Sequence, residues 1–259
     1  MPELPSVEIF KRYFNSTSLK QEILSVDIRN PEILINVSPK ELENRLISRE
    51  FTGSRRYGKY LFSHLDNDYF LILHFGMTGY LKYNKDTANP HTRLLLAFKE
   101  GNLGFIDVRK FGKIGLTRDV KQFIKDKNLG PDALDIDSKT FIQKFSNRKG
   151  QIKHLLMNQN FIAGIGNLYA DEILFQSCIH PLSKADKLSR DKLKQLYHEM
   201  IRVLNKAIEY QDKPFSLPES FLLPHRHHQG ECPQGGPLEV IKVGGRTTYY
   251  CDECQKLYH

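Results

Sequence analysis

The sequence predicts an α+β protein with an N-terminal domain of antiparallel strands, a helical domain and a cysteine-bearing C-terminal tail. Short runs of branched and aromatic residues recur between about residues 23 and 116 and alternate with glycine-containing turns, which is typical of an antiparallel sandwich or barrel. Apolar residues at helical spacing follow between about residues 138 and 209. Three of the four cysteines lie after residue 231. We therefore place three domains at residues 1–125, 126–224 and 225–259.

The β-domain begins with a helix and continues as strands. Val7, Phe10 and Phe14 share one face of a helix over residues 7–14. Residues 69–73 form an aromatic and branched run typical of a strand.

A hairpin is predicted later in the same domain. Runs at residues 93–98 and 103–108 flank Gly101-Asn102, a dipeptide that favours a tight turn.

The chain then changes from strands to helices. Residues 129–134, Leu-Gly-Pro-Asp-Ala-Leu, form a turn-rich connection. The helices that follow are predicted at about residues 138–147, 150–158, 168–178 and 188–209. The apolar stripe of the last helix belongs to the core, so we assign it no further function.

The composition is that of a folded protein with a basic surface. The chain has 259 residues, with 38 Lys and Arg against 30 Asp and Glu, a net charge of +8. Such a surplus attracts polyanions, so nucleic acid is a candidate partner. The sequence has no apolar run of the roughly 20 residues that would span a bilayer and no secretory pattern at its N-terminus. We expect a cytoplasmic monomer without membrane contact, associated with the nucleoid if the source is bacterial.

The N-terminal residues Met1-Pro2-Glu3 offer a covalent catalyst. Removal of Met1 would leave Pro2 as a secondary amine with an ordinary pKa of about 8. Such an amine can attack a carbon atom and give an iminium ion whose positive charge does not depend on pH. Glu3 is placed to move protons for this reaction. The alternative is a proline-stiffened tail, but the predicted helix over residues 7–14 would anchor the N-terminus as catalysis requires.

Lys59 is a candidate phosphate contact. It follows Gly58 at the start of an apolar strand, in the segment RRYGKYL. A lysine at such a position is commonly a solvated surface charge. The functional alternative is a cation near a phosphate or near Pro2.

Two loops combine apolar or aromatic residues with glycine or cations. Met77 lies between Gly76 and Gly79 in HFGMTG, where it could be an apolar wedge between bases or a residue that fills a gap in the core. Arg109 and Phe111 lie in DVRKFGK, whose three cations and one ring suit phosphate contact and base stacking. A strand end with solvated charges would show the same pattern.

A glycine-rich turn precedes the helix predicted at residues 168–178. In AGIGNLYADE, Asn167 takes the N-cap position, and the backbone N–H groups of such a turn form an anion site. Lys149 and Lys153, upstream, would add positive charge. The segment lacks the Lys-Ser/Thr pair of a nucleotide-binding loop, so we interpret it as a phosphodiester clamp.

The cysteines of the tail suggest a zinc ribbon with one ligand missing. Cys251 and Cys254 form a C-x-x-C knuckle, and Cys232 precedes them, but Pro233-Gln234-Gly235-Gly236 contains no partner for Cys232. Structural zinc is almost always tetrahedral. His228 is the most convenient fourth ligand, with His225 and His227 as alternatives. A ribbon without zinc and with free thiols is the other interpretation.

The ribbon would present one cation at its turn. Gly244-Gly245 is typical of the turn between two strands, and Arg246 follows it directly. We therefore expect Arg246 to be held out from the ribbon.

Seven collinear segments together resemble the formamidopyrimidine-DNA glycosylase and endonuclease VIII family, and they extend over nearly the whole chain. In order, they are MPELPSVE, RRYGKYL, HFGMTG, DVRKFG, LGPDAL, GIGNLYADE and GGRTTYYCDECQ. Members of this family excise oxidised bases and cut the resulting abasic strand. The resemblance implies an antiparallel β-sandwich with a leading helix, a helix-two-turn-helix domain and a C-terminal β-ribbon finger, with damaged double-stranded DNA as the partner.

The resemblance also implies roles for the first candidate residues. Pro2 would be the nucleophile at the sugar C1′ atom, and Glu3 the acid and base that opens the sugar ring. Lys59 would contact a phosphate and be needed for catalysis.

Other residues would bind the DNA around the lesion. Three match the family's void-filling residues, which occupy the space left by a flipped nucleotide, and this favours the formamidopyrimidine branch: Met77, Arg109 and Phe111. Those that would hold flanking phosphates are Asn167, Lys153 and Arg246, with His91 and Lys149 as further candidates.

This chain departs from the family pattern at three places. Ser6 stands where the formamidopyrimidine branch usually has glutamate, and the partner of Cys232 is missing. The stretch from Gln211 to Gly230 is short compared with the family segment that covers a flipped 8-oxoguanine, which leaves the choice of base open.

The leading hypothesis is therefore a bifunctional DNA glycosylase and abasic-site lyase for oxidised purines. A preference for oxidised pyrimidines is the nearest alternative. A protein that binds abasic or distorted DNA without chemistry is the alternative of another class, and the presence of Pro2, Glu3 and Lys59 argues against it.

Overall fold

The structure is a computed structural model that describes residues 1–85 and 89–259. The chain forms two compact units. The first contains residues 1–2 and 6–128, and the second contains residues 3–5 and 129–259. Within the described residues, no helix is both long and apolar enough to cross a membrane.

The first unit is a two-sheet β-sandwich with helices. Its elements, in order, are α1 (Leu4–Ser18), β1 (Ser25–Ile28), β2 (Leu34–Ile35), α2 (Pro39–Leu46), β3 (Phe51–Tyr57), β4 (Tyr60–Leu65), β5 (Phe70–His74), β6 (Tyr80–Asn84), β7 (Thr92–Ala97), β8 (Asn102–Ile106), β9 (Lys113–Thr117) and α3 (Val120–Asp126). One sheet has the strand order β1-β7-β8-β6 and the other β2-β9-β5-β4-β3. The strand pairs are antiparallel as predicted, apart from the short edge strand β2, which runs parallel to β9.

The sandwich core lies between the two sheets and is closed by α1. Leu73 of β5 and Phe105 of β8 belong to this core. Val7 and Phe14 of α1 are fully buried in it, which confirms the predicted apolar face of the first helix. The anchored N-terminus that the sequence predicted is therefore present.

The hairpin between β7 and β8 differs slightly from the prediction. Asn102 is already the first residue of β8 and pairs with Ala97. The turn spans residues 98–101 and is closed by a hydrogen bond from the Phe98 N–H to the Gly101 carbonyl at 2.8 Å. Pairing of Ala97 with Asn102 thus moves the turn one residue towards the N-terminus.

The second unit is helical and ends in a two-stranded ribbon. Its elements are α4 (Ser138–Ser146), α5 (Ile152–Met157), α6 (Asn167–Gln176), α7 (Arg190–Glu209), β10 (Glu239–Val243) and β11 (Arg246–Tyr250), with short 3₁₀ turns at Ala185–Lys187, Pro214–Ser216 and Leu223–His225. The four predicted helices match α4 to α7 within about two residues at each end, which is the usual uncertainty of helix boundaries.

The core of this unit forms around α6 and α7. Leu193, Leu196, Met200 and Leu204 of α7 are fully buried, as the apolar stripe predicted. The N-cap of α7 is Ser189, whose hydroxyl accepts from the Lys192 N–H at 3.2 Å. The stripe and the cap explain why this helix was the clearest in the sequence.

Candidate functional site

Glu3 caps the N-terminus of α6. Its carboxylate accepts from the backbone N–H groups of Gly166 at 2.6 Å, Leu168 at 2.9 Å and Tyr169 at 3.4 Å. The first N–H groups of a helix lack partners within the helix and carry a positive partial charge, so a carboxylate is a favourable cap. Glu3 is only 2% exposed. The helix therefore fixes the residue that follows Pro2 in the chain.

These bonds correct two expectations for the glycine-rich turn. The N-cap of α6 is Gly166, and Asn167 is the first residue of the helix. The N–H groups assigned to a phosphodiester clamp donate instead to Glu3. The anion attracted to this helix end is thus a carboxylate of the chain itself.

The glycine at position 166 allows Glu3 to approach the helix. A Cβ atom there would lie 2.4 Å from the Glu3 Cδ atom. Glu3 is also held through its neighbour, because the Leu4 N–H donates to the Gly164 carbonyl at 3.0 Å.

Lys59 lies in the turn between β3 and β4 and is half-buried. Its charge acts on His74, the last residue of β5. Burial, and after it the charges of Lys59, Lys127 and Lys113, together lower the pKa of His74 to about 4. Neutral His74 uses its Nδ1 atom to accept from the Gly76 N–H at 3.3 Å. Lys59 thus lies in a positively charged region at the start of the Met77 loop.

Asp107 connects the loop that contains Met77 with the loop that contains Arg109 and Phe111. Its carboxylate accepts from the Thr78 hydroxyl at 2.5 Å, from the Gly112 N–H at 2.7 Å and from the Arg109 N–H at 3.2 Å. Asp107 is fully buried. Residues 76–79 and 107–112 are therefore one structural unit, which we call the paired loops.

The paired loops present an aromatic ring and a guanidinium group to solvent. Phe111 is 51% exposed, and the Arg109 guanidinium lies over its ring, 4.8 Å from the centroid. Met77 is half-buried and is not part of the sandwich core, so it does not fill a core gap. His91 is exposed, and its carbonyl accepts from the Asp107 N–H at 2.9 Å. The structure thus brings Met77, Arg109, Phe111 and His91 together.

Lys153 is placed differently from the prediction. Its side chain is fully buried, and its ammonium group forms an ion pair with Asp171 at 2.6 Å. It also donates to Asn167 Oδ1 at 2.8 Å and to the Thr248 hydroxyl at 2.5 Å. The ammonium group thus makes one ion pair and two hydrogen bonds within the chain. Lys153 therefore supports its neighbours from below the surface, and its contact with a DNA phosphate stays a prediction.

Asn167 is also engaged within the chain. Its amide nitrogen donates to the Thr247 carbonyl at 2.9 Å. Its side chain thus links α6 to β11 and does not cap the helix. Lys149, by contrast, is exposed in the connection between α4 and α5.

Arg246 lies where the sequence placed it. Gly244 and Gly245 have φ angles of +56° and +74°, and they join β10 to β11 with Val243 paired to Arg246. Positive φ at both central residues is typical of the two-residue hairpin turn whose twist matches its strands. Arg246 is exposed at this turn.

Cys232, Cys251 and Cys254 form a cluster that could hold a metal ion. Their sulfur atoms lie within 4.8 Å of one another, and Cys232 Sγ lies 3.4 Å from Cys254 Sγ. Three thiolates suit three of the four positions around a structural zinc ion. Burial raises the pKa of the Cys232 and Cys254 thiols.

The fourth position is not filled as the sequence predicted. Within residues 1–85 and 89–259, the cluster contains no histidine or carboxylate, and His228 is exposed outside it. The neighbouring polar group is the Gln234 side-chain oxygen, 3.4 Å from Cys254 Sγ. The choice of His228 as ligand is therefore corrected, because its turn precedes the ribbon and does not bring the ring to the thiols.

Three residues of these sites were missing from the sequence-based candidates: Asp107, Asp171 and Arg226. Asp107 lies in the segment DVRKFG and Asp171 in GIGNLYADE, both of which carry the family resemblance. Nothing in the local pattern of either segment indicates that its aspartate is buried. Arg226, whose guanidinium pairs with Asp171 at 2.9 Å, lies in a stretch without regular periodicity. Only their tertiary contacts identify them.

The comparisons with family models and known proteins agree along the chain. Residues 1–114 match the model of the formamidopyrimidine-DNA glycosylase N-terminal domain, and residues 129–218 match that of the H2TH domain of the same enzymes. The formamidopyrimidine-DNA glycosylase of Lactobacillus johnsonii is 34% identical and that of Desulforamulus reducens 35% identical, with at least 99% of each chain covered.

Solved structures of similar proteins contain damaged DNA. A complex of Lactococcus lactis Fpg with DNA containing an abasic site has a TM-score of 0.89 at 30% identity, and it covers 98% of this chain and 99% of that chain. A structure of MutM with DNA containing carbocyclic 8-oxo-G has a TM-score of 0.91 at 32% identity, with 98% and 100% covered. The sequence match and the fold therefore show that the chain belongs to the formamidopyrimidine-DNA glycosylase family.

Proposed function

We propose that this protein is a base-excision-repair DNA glycosylase for oxidised purines that also cleaves the abasic strand. The observation that carries the proposal is the fixed position of Glu3, whose carboxylate accepts three N–H groups at the start of α6. Glu3 directly follows Pro2, so the helix holds the chain beside the proposed nucleophile. A loose N-terminal tail would have no such anchor.

Base removal would begin with the free amine of Pro2, after loss of Met1. The amine nitrogen forms a bond to the sugar C1′ atom as the glycosidic bond breaks, and the base leaves with the electron pair of that bond and accepts a proton. The nitrogen then loses its proton, which Glu3 can accept, and so regains its lone pair. That lone pair forms the iminium ion between Pro2 and C1′ as the C1′–O4′ bond opens and Glu3 gives the proton to the ring oxygen.

Strand cleavage would follow from the same intermediate. The positive charge of the iminium ion acidifies the C2′ proton, so removal of that proton expels the 3′ phosphate by β-elimination. A second elimination expels the 5′ phosphate. Lys59 and Arg246 are the cations we assign to the phosphates at the lesion, with exposed Lys149 and His91 as outer contacts. Asn167 would help to place these phosphates, because its amide nitrogen donates to the carbonyl of Thr247, the residue that follows Arg246.

The paired loops would hold the duplex open. Phe111 is exposed and Arg109 lies over its ring, so both can enter the space left by an extruded nucleotide, with Met77 on the neighbouring loop. Aromatic and apolar side chains that replace a flipped base recover part of the lost stacking energy.

The choice of base would depend on the stretch from Gln211 to Gly230. Related proteins have been solved with DNA containing 8-oxo-G and Fapy-dG, which favours an oxidised purine as substrate. We further propose that the three cysteines bind zinc, and that the protein acts in the cytoplasm, at the nucleoid in a bacterium.

Borohydride trapping on an abasic duplex tests the proposal. Wild-type protein with a C-terminal tag should give a covalent adduct and β,δ-elimination products. Pro2→Glu, which keeps Met1 and removes the proline amine, should give neither product. Pro39→Ala, an exposed proline at the start of α2, is the matched control and should behave as wild type. Wild-type binding to the duplex without any adduct would instead indicate a DNA-binding protein without catalysis.

A second assay tests the choice of base. Duplexes that carry 8-oxoguanine or a formamidopyrimidine should be incised faster than a duplex that carries thymine glycol. Faster cleavage of the thymine glycol duplex would contradict a preference for purines.

A further inference from the structure

Asp171 is the centre of a buried charge cluster that the proposed reaction does not use. It lies on α6, four residues after Asn167, and is fully buried. Its carboxylate pairs with the Lys153 ammonium group at 2.6 Å and with the Arg226 guanidinium at 2.9 Å. It also accepts from the Tyr249 N–H at 3.3 Å. One buried carboxylate thus holds two cations and one residue of the ribbon.

The two cations extend the cluster along β11. Arg226 donates to the Thr247 carbonyl at 3.0 Å, and its guanidinium lies over the Tyr249 ring, 4.7 Å from the centroid. Lys153 donates to the Thr248 hydroxyl at 2.5 Å. The cluster therefore binds each of the three residues that follow Arg246.

The same cluster fixes the start of α6. Lys153 donates to the Asn167 amide oxygen, and the Asn167 amide nitrogen donates to the Thr247 carbonyl. Asp171 and Asn167 lie one turn apart on α6, so both act from the same face of one helix. The strand that carries Arg246 is thus bonded to the helix that Glu3 caps.

The ribbon is also attached where it ends. The Gln255 side chain donates to the Ile179 carbonyl at 2.8 Å, and the His180 N–H donates to the Lys256 carbonyl at 2.9 Å. Near the turn, Gly244 packs against His154 of α5, where an added Cβ atom would lie 3.1 Å from Nδ1. The bond of His180 and the packing of Gly244 do not involve the cysteine cluster, whereas Gln255 also accepts from the Cys251 N–H at 2.9 Å.

We propose that Asp171, with Lys153 and Arg226, forms a positioning cluster that holds Arg246 against a DNA phosphate without help from a metal ion. Buried ionic groups that are fully paired can fix one arrangement of a fold. The inference rests on the phosphate-binding role proposed for Arg246. These three residues do not touch the reacting atoms in the proposed mechanism, so their effect passes through the ribbon.

A double-mutant cycle on DNA binding tests the inference. The probe is a duplex with a tetrahydrofuran abasic analogue, and Kd is measured by fluorescence anisotropy at several salt concentrations. Arg246→Ala should weaken binding about 10-fold and lower the salt slope by about 1, as expected for one lost phosphate contact. Arg226→Gln alone should weaken binding several-fold and lower the salt slope by a similar amount. In the double mutant with Arg246→Ala, Kd should be almost the same as in Arg246→Ala alone.

Arg202→Gln is the matched control. It removes one arginine of the same unit, whose partners are Glu199, Gln176 and the Phe221 ring and not residues of β10 or β11. Its Kd should stay within twofold of wild type. An additive double mutant, or an Arg226→Gln variant with wild-type Kd, would overturn the positioning role. A wild-type Kd for Arg246→Ala would instead show that the proposed phosphate contact is wrong, and the inference would fall with it.

Hydrogen exchange provides a readout that does not depend on DNA. Amides of residues 246–250 should exchange faster in Arg226→Gln than in wild type, and Arg226→Lys should recover part of the protection. Addition of a metal chelator to the wild-type protein should leave their exchange unchanged. Loss of protection with the chelator but not in Arg226→Gln would show that a metal ion, and not the cluster, holds the ribbon.

Discussion

Replacement of Gly166 by alanine should displace Glu3 without altering any proposed catalytic group. An added Cβ atom would lie 2.4 Å from Glu3 Cδ, whereas ordinary contacts begin at 3.4 Å, so the carboxylate must move by roughly 1 Å (3.4 − 2.4). The φ angle of Gly166 is −123°, which alanine adopts without strain. The substitution therefore acts through its contact with Glu3.

The structure sets the size of the expected effect. The shift would break or lengthen the 2.6 Å bond from the Gly166 N–H and the 2.9 Å bond from the Leu168 N–H. Hydrogen bonds to a charged group contribute about 1.5–3 kcal/mol each, and loss of a helix cap costs about 1 kcal/mol. We expect a loss of about 2–4 kcal/mol in the free energy of unfolding, measured with urea. A misplacement of this size at a proton-transfer group should slow strand cleavage about 100-fold.

Two comparisons show whether Glu3 carries the effect. Gly150→Ala is the matched control, because its added Cβ atom would lie 3.8 Å from the nearest atom, and it should leave stability and cleavage unchanged. Gly166→Ala added to Glu3→Ala should cost little more than Glu3→Ala alone, since the clash is then absent. Wild-type stability and cleavage in Gly166→Ala, or a fully additive double mutant, would refute the reasoning.

Three further predictions concern other parts of the chain. Asp107→Ala leaves the Gly112 N–H and the Thr78 hydroxyl without the carboxylate that accepts from them, and it should lower the free energy of unfolding by about 2–4 kcal/mol in urea titrations, together with DNA affinity. A stable variant with wild-type affinity would contradict the linking role. The pKa of His74 is about 4 in the folded protein and 6.5 in its ordinary state, so the unfolded chain takes up the proton first as pH falls. Stability present above pH 6.5 should therefore be lost progressively between pH 6.5 and 4, by about 2 kcal/mol at pH 5 relative to His74→Gln, and parallel pH profiles would contradict this. Among residues 1–85 and 89–259, the cysteine cluster offers three protein ligands, so extended treatment with a chelator should remove any zinc and change the melting temperature by less than about 3 °C. A larger decrease would mean that a metal ion stabilises the ribbon.

The sequence by itself determined the order of the elements and the chemistry of the N-terminus. Helical spacing predicted α7 and its buried face, because one apolar residue per turn is a local signal. Gly244-Gly245 predicted the ribbon turn, since positive φ angles favour glycine. The proposed roles of Pro2 and Glu3 came from residue type and from the collinear motifs, which do not depend on packing.

Only the tertiary structure decided which groups are paired. Asn167, Lys153 and the turn before α6 had the sequence of an anion site, yet Glu3 occupies its N–H groups and Asp171 pairs with the lysine. Whether a helix end or a cation binds a ligand depends on which charges the fold buries beside it, and those partners come from positions up to 166 residues apart. Spacing along the chain cannot report such contacts. The fold therefore uses the expected phosphate clamp to hold Glu3 and to bond α6 to Thr247, the residue after Arg246.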